Sequence, residues 1–536
     1  MKIIVGQINS WVGAVKANVD KMLLQVAAAK LIHAELIVFP ELAVCGYPPE
    51  DLLLREDFLA ACTRELMRLC QAAIDIAIVV GCPRKSVTGV HNAAVVLVNQ
   101  AILCEYHKQC LPNYGVFDEA RYFVKGTAAC VFRLTATGPL IGLLICEDTW
   151  FHTPALKAKA AGAEVLISIH ASPFAFEKEA QRQQVYTACS QLTQLPHLCC
   201  QTVGGQDDLV FDGGSKAFDA QGNITFAAAY FEENSHLINY DSLTHRLIGP
   251  IAPEISVIAK IYQALVLGIK DYVSKNTFKR VLLGLSGGLD SSLTLSLAVD
   301  ALGVDAVTAV LLPSRFTSQA SMDALRAQLA LIPVPTIELS IEPLFNCTLT
   351  TLANVFGAAK WDKTEENIQA RIRGLLLMAL ANKNNALVLN TSNKSELAVG
   401  YSTLYGDMVG GFAALKDVPK TLVVKLAHYR NSIQATIPEF IVSRPPSAEL
   451  ALDQQDQDSL PSYEILDDII VRFIDQRQSL EDIVQAGLER SVVEKMVKLI
   501  LQNEHKRRQS PPGVKITACA FTRERRYPIS SGPWWC

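Results

Sequence analysis

The sequence has no CxxC pair: its 14 cysteines are scattered along 536 residues. That spacing in a long chain favours reduced thiols in a cytoplasm over a disulfide framework. It also has no apolar run near the 18 or so residues that a membrane helix needs. The opening "MKIIVGQINSWVG" carries a single lysine and only three apolar residues in a row before Gly6, too short and polar for a secretory leader. The ending "PWWC" is not a prenylation box, which needs its cysteine four from the end. Bulk charge is lacking too: the formal net charge is −4, so no nucleic-acid or membrane partner is expected on that ground. No internal repeat is visible. What remains, 50% hydrophobic and 19% charged residues, describes a soluble globular protein too long for one core, with two or three domains expected from its length.

Short Val/Ile/Leu runs ("KIIVGQ", "ELIVFPE", "IAIVVGCP", "AAVVLVN", "LIGLLICE", "EVLISIH") alternate with Ala-rich helical patterns up to about residue 245. This predicts a layered α/β domain with strands enough for two sheets. Two prolines and a glycine in "LTHRLIGPIAPEIS" end the pattern, so residues 1–245 form the first expected domain and 246–260 a linker. A second α/β domain, 261–536, opens with a helical pattern and the strand "RVLLGL". The acidic stretch "SAELALDQQDQDSLPSYEIL", 447–466, predicts a mobile loop.

The strongest single motif is "VLLGLSGGLDSSLTLSLAVDALG", 281–303. A buried strand runs into Ser286, Gly287 and Gly288, and Ser291 and Ser292 open an amphipathic helix. Glycines let backbone approach a ligand and helix N-terminal amides face anions, so this is a phosphate cradle. It lacks the Lys-Ser/Thr ending of the Walker loop. Asp290 beside phosphate requires Mg²⁺ between them, which implies a metal–nucleotide complex. The bland alternative is a glycine turn with a serine cap.

SGGxDSS after an apolar strand resembles the loop of the ATP pyrophosphatases, which split ATP into AMP and pyrophosphate while adenylating a substrate oxygen. "TEENIQARIRGLLLMALAN" (364–382), "LVLNTSNKSELAVGYSTLYGDMVGGFAALKDVPKTLV" (387–423) and "PPGVKITACAFTRERRYPI" (511–529) are similar, in the same order, to blocks of the NAD synthetases. The resemblance implies that Gly284, Leu285, Ser286, Gly287, Gly288, Leu289, Asp290 and Ser291 bind ATP, with Thr391 and Lys420. It implies Mg²⁺ on Asp290 and Glu396, and deamido-NAD near Asn367, Glu396 and Lys506. From the residues themselves, "EHKRRQ" at 504–509 reads equally well as a solvated charge run.

In the first domain "LIGLLICEDTW" ends an apolar run at Cys146. Unpaired cysteine is commonly core filler. Yet Glu41 in "ELIVFPELAVCGY" also sits at a strand end, and Lys108 in "EYHKQCLPNYGVFDE" lies just past a hairpin pattern. A thiol nucleophile needs such a base and such a cation. "FPEL", "HKxxLPNYGVFDE" and "CEDxW" resemble the nitrilase superfamily, specifically the glutamine-hydrolysing domains fused to NAD synthetases. That resemblance implies Glu41 as base, Lys108 as oxyanion cation, Cys146 as nucleophile and Glu119 as a second carboxylate. It implies Tyr114, Ser172 and Lys178 around the amino-acid end of glutamine. Two departures stand out: His170 replaces the asparagine expected there, and Lys178 replaces an arginine that also occurs. His170 is expected to be structural, and a lysine gives charge without a bidentate grip.

Together the resemblances imply an N-terminal nitrilase-like αββα sandwich followed by a Rossmann-like doubly wound α/β domain. They imply a cytoplasmic homo-oligomer acting on L-glutamine, ATP and deamido-NAD, with ammonia passing internally between sites. Two other function classes remain. An ATP-pyrophosphatase amidotransferase with a tRNA or nucleotide-base acceptor would call for a basic surface or an RNA-binding appendage. A non-enzymatic nucleotide sensor would not need Cys146, Glu41, Lys108 and Asp290 together.

Overall fold

The computed structural model describes all residues except 358–359, 446–448, 452–455, 459 and 533–536. The Trp-Trp-Cys ending, and the parts of the expected mobile loop at 447–448, 452–455 and 459, lie outside the described residues. The chain divides into two compact units, Met1–Ile255 and Ser256–Cys536. Among the described residues no helix is long and apolar enough to cross a membrane.

The first unit holds a seven-stranded and a six-stranded sheet. In the first the order is Arg246–Ile248, Asn234–Asp241, Lys2–Gln7, Leu36–Val38, Ala77–Ser86, Gly89–Val98, Ala101–His107. In the second it is Ile224–Ala227, Lys216–Phe218, His197–Gln201, Val165–His170, Ile141–Ile145, Val131–Phe132. The strands are apolar on both faces because both faces are covered. Ile3, Val5, Leu36, Val38, Val79, Leu143, Ile145, Ile167 and Ile169 share one core between the sheets. The alternate residues Ile4, Ile37, Ile78 and Val80 join Val19, Met22 and Val26 of helix Val15–Leu31 and Leu66 and Leu69 of helix Glu56–Gln71. Leu144 and Leu166 meet Ala155 and Ala158 of helix His152–Ala160 and Cys189 of helix Lys178–Thr193. The result is helix, sheet, sheet, helix.

The expected linker 246–260 is structured at both ends. Leu247 is buried in the inter-sheet core and its strand pairs antiparallel with Asn234–Asp241, so the first sheet needs this segment as its edge. Ser256 caps helix Val257–Lys275, its hydroxyl accepting from the Ala259 N–H at 3.3 Å.

The second unit is built on a five-stranded sheet in the order Thr336–Glu338, Val307–Leu311, Val281–Gly284, Leu387–Asn390, Phe412–Ala413. All its pairs are parallel. The chain leaves Val281–Gly284 toward one edge and returns on its other side at Leu387–Asn390, and a crevice opens at such a reversal beyond the strands' carboxyl ends. Helix Leu289–Leu302, expected to be amphipathic, is instead buried almost all round between helices Val257–Lys275 and Lys420–Ile433. Two of its buried hydroxyls are satisfied locally, Thr294 Oγ1 donating to the Asp290 carbonyl at 2.8 Å and Ser296 Oγ to the Ser292 carbonyl at 3.2 Å, whereas Ser292 Oγ has no hydrogen-bond partner.

Candidate active sites

In the first unit Glu41 follows strand Leu36–Val38 in a turn pressed onto Gly81. A Cβ on Gly81 would stand 2.2 Å from the Leu42 nitrogen, so only glycine permits the approach. The buried carboxylate is fully engaged. Its Oε1 accepts from Lys108 Nζ at 2.6 Å and Asn92 Nδ2 at 2.8 Å, and its Oε2 from the Ala171 N–H at 2.9 Å. Lys108 is delivered by the hairpin Gly89–Val98/Ala101–His107, whose turn residues Asn99 and Gln100 take φ of 48° and 61°, as a type I′ turn requires. Its ammonium also donates to Glu119 Oε1 at 2.7 Å, which in turn accepts from the Tyr47 hydroxyl at 2.9 Å. One buried cation thus bridges two buried carboxylates.

Cys146 stands where strand Ile141–Ile145 stops, at φ 44°, and opens a single helical turn to Trp150. A non-glycine residue in that region is strained and persists only where its surroundings hold it. Asp148 does the holding. Its Oδ2 accepts from the Ile145 N–H at 3.1 Å and the Tyr106 hydroxyl at 2.8 Å; its Oδ1 accepts from the Gln109 and Cys110 N–H groups at 3.0 and 2.8 Å. The residues just before Cys146 and just after Lys108 therefore share one buried carboxylate.

Burial pushes the Cys146 thiol well above its usual range, Glu41's charge adds to that, and Lys108 offsets it only in part. The resting sulfur is a thiol. Burial opposes charge on Lys108, but Glu119 and Glu41 outweigh it and hold the lysine protonated. Burial raises Glu119 to about 7, against the lowering effect of Lys108 and with Glu41's charge adding to the rise. Its Oε2 is buried with no hydrogen-bond partner.

Beside this set, the Tyr114 hydroxyl donates to Glu147 Oε1 at 3.0 Å, and the Lys178 ammonium lies 5.0 Å from the centre of the Phe117 ring. Tyr114 and Phe117 meet edge to face at 5.6 Å. Ser172 is buried next to Ala171, and its carbonyl accepts from Arg182 at 3.3 Å. His170 bonds Ser168 Oγ at 2.6 Å and the Tyr186 hydroxyl at 3.3 Å, and burial keeps its ring neutral. It is a buried network histidine.

In the second unit a cavity of about 590 Å³ is lined by the whole of Gly284–Ser291 together with Thr391, Glu396 and Lys420. Gly287 takes φ +83°, and the loop is braced by its serines: the Ser286 N–H donates to Ser291 Oγ at 3.2 Å and the Gly288 N–H to Ser286 Oγ at 3.2 Å. Lys420 Nζ is paired with Asp290 and stands 3.7 Å from Glu396, while Asn393 Nδ2 donates to Asp290 Oδ1 at 3.0 Å. Burial raises Glu396 to about 8, with Asp290's like charge second and Lys420 opposing. Asn367 and Lys506 do not line this cavity. They meet at the neighbouring turn, where Asn367 Oδ1 accepts from Thr403 Oγ1 at 2.8 Å and Lys506 Nζ donates to the Gly400 and Ser402 carbonyls at 2.7 and 2.8 Å. The run 504–509 is solvated on one side only: His505, Arg508 and Gln509 are exposed, whereas Glu504 and Arg507 are buried and Glu504 also pairs with Arg525 at 3.2 Å.

Asn92, Tyr47, Asp148 and the Ala171 N–H escaped the sequence reading. Asn92 interrupts an otherwise apolar strand and Asp148 sits inside the "CEDTW" word, which were the available signals.

The chain matches the carbon-nitrogen hydrolase family over residues 2–245 and the NAD synthase family over 261–510. It is 46% identical over 539 residues to glutamine-dependent NAD(+) synthetase of Xanthomonas campestris pv. campestris, covering 99% of this chain and 98% of that protein. The chain belongs to the glutamine-dependent NAD(+) synthetases. The same enzyme of Acinetobacter baylyi is 45% identical over 99% of this chain and 98% of that protein. Among solved structures, glutamine-dependent NAD+ synthetase of Acinetobacter baumannii in complex with ADP is 40% identical with a TM-score of 0.79, covering 100% of this chain and 99% of that one. A glutamine-dependent NAD(+) synthetase from Cytophaga hutchinsonii, at 22% identity over 99% of this chain and 98% of that one, shares the fold with a TM-score of 0.86.

Proposed function

We propose that this ligase hydrolyses L-glutamine at Cys146 and uses ATP to amidate deamido-NAD, giving NAD⁺, AMP, pyrophosphate and glutamate. The observation that carries the reading is the ammonium of Lys108 bridging Glu41 and Glu119 at 2.6 and 2.7 Å beside a thiol at a strained strand end.

Glu41 takes the thiol proton, and the thiolate attacks the carboxamide carbon of glutamine. Lys108 stabilises the oxyanion, and Glu41 returns the proton to the departing ammonia. Water, deprotonated by Glu41, then cleaves the glutamyl thioester. Tyr114, Ser172 and Lys178 hold the amino-acid end. Because burial keeps the sulfur protonated, it becomes nucleophilic only when its proton moves to Glu41.

At the second site the amides of Gly284–Ser291 receive the phosphates of ATP, with Thr391 and Lys420 at the nucleotide. The carboxylate of deamido-NAD attacks the α-phosphorus, pyrophosphate leaves, and ammonia displaces AMP from the acyl-adenylate. Asn367, Glu396 and Lys506 serve deamido-NAD. Among the described residues no group of three or more His, Cys, Asp or Glu could hold a metal. Two carboxylates, Asp290 and Glu396, with substrate phosphates suit Mg²⁺, which seldom has an all-protein cage. When bound, Mg²⁺ supplies charge neutralisation of the phosphates. The spread of unpaired cysteines supports a cytoplasmic setting, and the family resemblance supports a homo-oligomer.

The test is NAD and AMP formation from deamido-NAD, ATP and Mg²⁺ with glutamine or ammonium as nitrogen source. Cys146→Ala is expected to abolish glutamine-dependent synthesis and keep ammonium-dependent synthesis. ADP in place of AMP, or loss of both nitrogen sources in a folded Cys146→Ala protein, would refute it.

A further inference from the structure

Two cysteines that the proposed reaction does not use stand side by side. Cys104 lies on the edge strand Ala101–His107 of the first sheet, and Cys130 immediately precedes strand Val131–Phe132 of the second. Their sulfurs share a hydrogen bond 3.1 Å long, about 1 Å beyond the ~2.05 Å of a disulfide bond. Both thiols are free. Cys45 and Cys62 are also neighbours, but both are shut off from solvent, whereas Cys104 is half-buried at the sheet edge.

We propose that Cys104 and Cys130 are a redox modification site, joined into a reversible disulfide by a small hydroperoxide. One sulfur, as thiolate, attacks a peroxide oxygen; the O–O bond breaks, an alkoxide or hydroxide leaves and takes up a proton, and a sulfenic acid remains. The second thiolate attacks that sulfur, the S–S bond forms, and hydroxide leaves to become water. Two thiols and one ROOH give one disulfide, ROH and water, with two electrons passing from sulfur to oxygen. The hydrogen bond between the two sulfurs lowers the Cys130 thiol from its usual range and raises that of Cys104, so Cys130 is the sulfur that gives up its proton first.

The position gives the crosslink a consequence. Between Cys104 and Cys130 the chain carries Lys108, Tyr114 and Glu119. The Cys130 carbonyl accepts from the Leu143 N–H at 3.1 Å, on the strand that ends at Cys146. A disulfide would fasten the two ends of the lysine-bearing segment, narrow its freedom in the unfolded chain and leave the folded site in place. Cys146 itself, its thiol pushed up by burial, is the poorer target.

The experiment treats the full-length protein with one equivalent of hydrogen peroxide, alkylates the remaining thiols and maps peptides without reduction. A Cys104–Cys130 peptide pair lighter by two hydrogen atoms is expected, lost on treatment with dithiothreitol, with Cys146 still alkylatable. The oxidised protein should unfold roughly 5 °C higher in its N-terminal unit, a shift that Cys104→Ser removes. Cys104 and Cys130 both recovered alkylated, both recovered as sulfinic acids, or linked to other cysteines would each overturn the proposal, as would a crosslinked protein with an unchanged midpoint. The peptide map of the unmutated protein decides the chemistry even where Cys104→Ser folds poorly.

Discussion

Replacing Lys108 by methionine keeps the bulk of the side chain and removes the charge between Glu41 and Glu119. In the parent all three groups are buried, with side chains at most 5% exposed, and the ammonium is bonded to both carboxylates. Removing one partner of a buried ion pair costs about 3–5 kcal/mol. Part of that cost is avoided wherever Glu119 can take a proton. Its pKa is already about 7, and losing the cation raises it further. At pH 6 the stranded pair keeps one proton and the expected loss is about 2 kcal/mol; at pH 8 the proton is held against a steeper gradient and the loss approaches about 4 kcal/mol. The chemical cost is separate: an oxyanion donor is worth about 10²–10³ in rate, so glutamine hydrolysis should fall about 100- to 1000-fold. Ammonium-dependent NAD formation should stay within about twofold. Glutamate release, NAD formation with ammonium chloride and urea unfolding at both pH values measure the three quantities. Adding Glu119→Gln to the variant should restore stability at pH 8 without restoring hydrolysis. Hydrolysis within tenfold of the parent would refute the role of Lys108, and an equal stability loss at pH 6 and pH 8 would refute the charge account.

Glu119→Gln alone tests the same carboxyl by its titration. Its folded pKa of about 7 lies above the ordinary 4.5, so its favourable contribution is complete below 4.5 and is lost as pH rises through 7. The substitution should flatten the fall in unfolding free energy across that window by up to about 1.4 kcal/mol per pH unit, and an unchanged slope in urea titrations would count against the assignment. Gly287→Ala places a Cβ 3.0 Å from the Ser321 carbonyl oxygen at φ +83°; calorimetry should show ATP affinity reduced about tenfold, with glutamine hydrolysis untouched. His170→Asn should cost about 1–2 kcal/mol of stability through its bonds to Ser168 and Tyr186 and leave the KM for glutamine unchanged; a raised KM would place His170 in the glutamine clamp.

The residues proposed to carry chemistry were legible where they end apolar runs. Glu41, Cys146 and the Gly287–Gly288 turn each follow a strand, and a strand end is where a side chain is both fixed and reachable. Asn92 was hidden because it lies inside a strand, where a polar residue announces burial only after the register sets it beside Glu41. The expected linker 246–260 spans the break between Ile255 and Ser256, but its first residues belong to the sheet, because proline and glycine mark a change of direction whereas Leu247 shows its burial only once the two sheets face each other. The acidic stretch 447–466 was expected to be mobile on composition; of its described residues, Asp456 is buried and accepts from the Tyr463 hydroxyl at 2.7 Å. Composition counts charges without knowing that Lys420 stands near enough to use them.

The two sites share one electrostatic device. Each places a single lysine between two carboxylates, fully buried in the first set and partly exposed in the second: Lys108 with Glu41 and Glu119, Lys420 with Asp290 and Glu396. With both carboxylates ionised each set carries one surplus negative charge in a medium that tolerates it poorly, and one member of each is driven up, Glu119 to about 7 and Glu396 to about 8. A surplus negative charge is relieved by acquiring a positive one. Beside Cys146 the available positive charge is the thiol's proton, so on the proposed reading the set would act as a base. Beside Gly284–Ser291, on the same reading, it would be the cation that accompanies ATP. The difference lies in what stands next to the triad, a strained thiol or a phosphate cradle. Exchanging charge within a triad should therefore disable its own half-reaction and leave the other half intact.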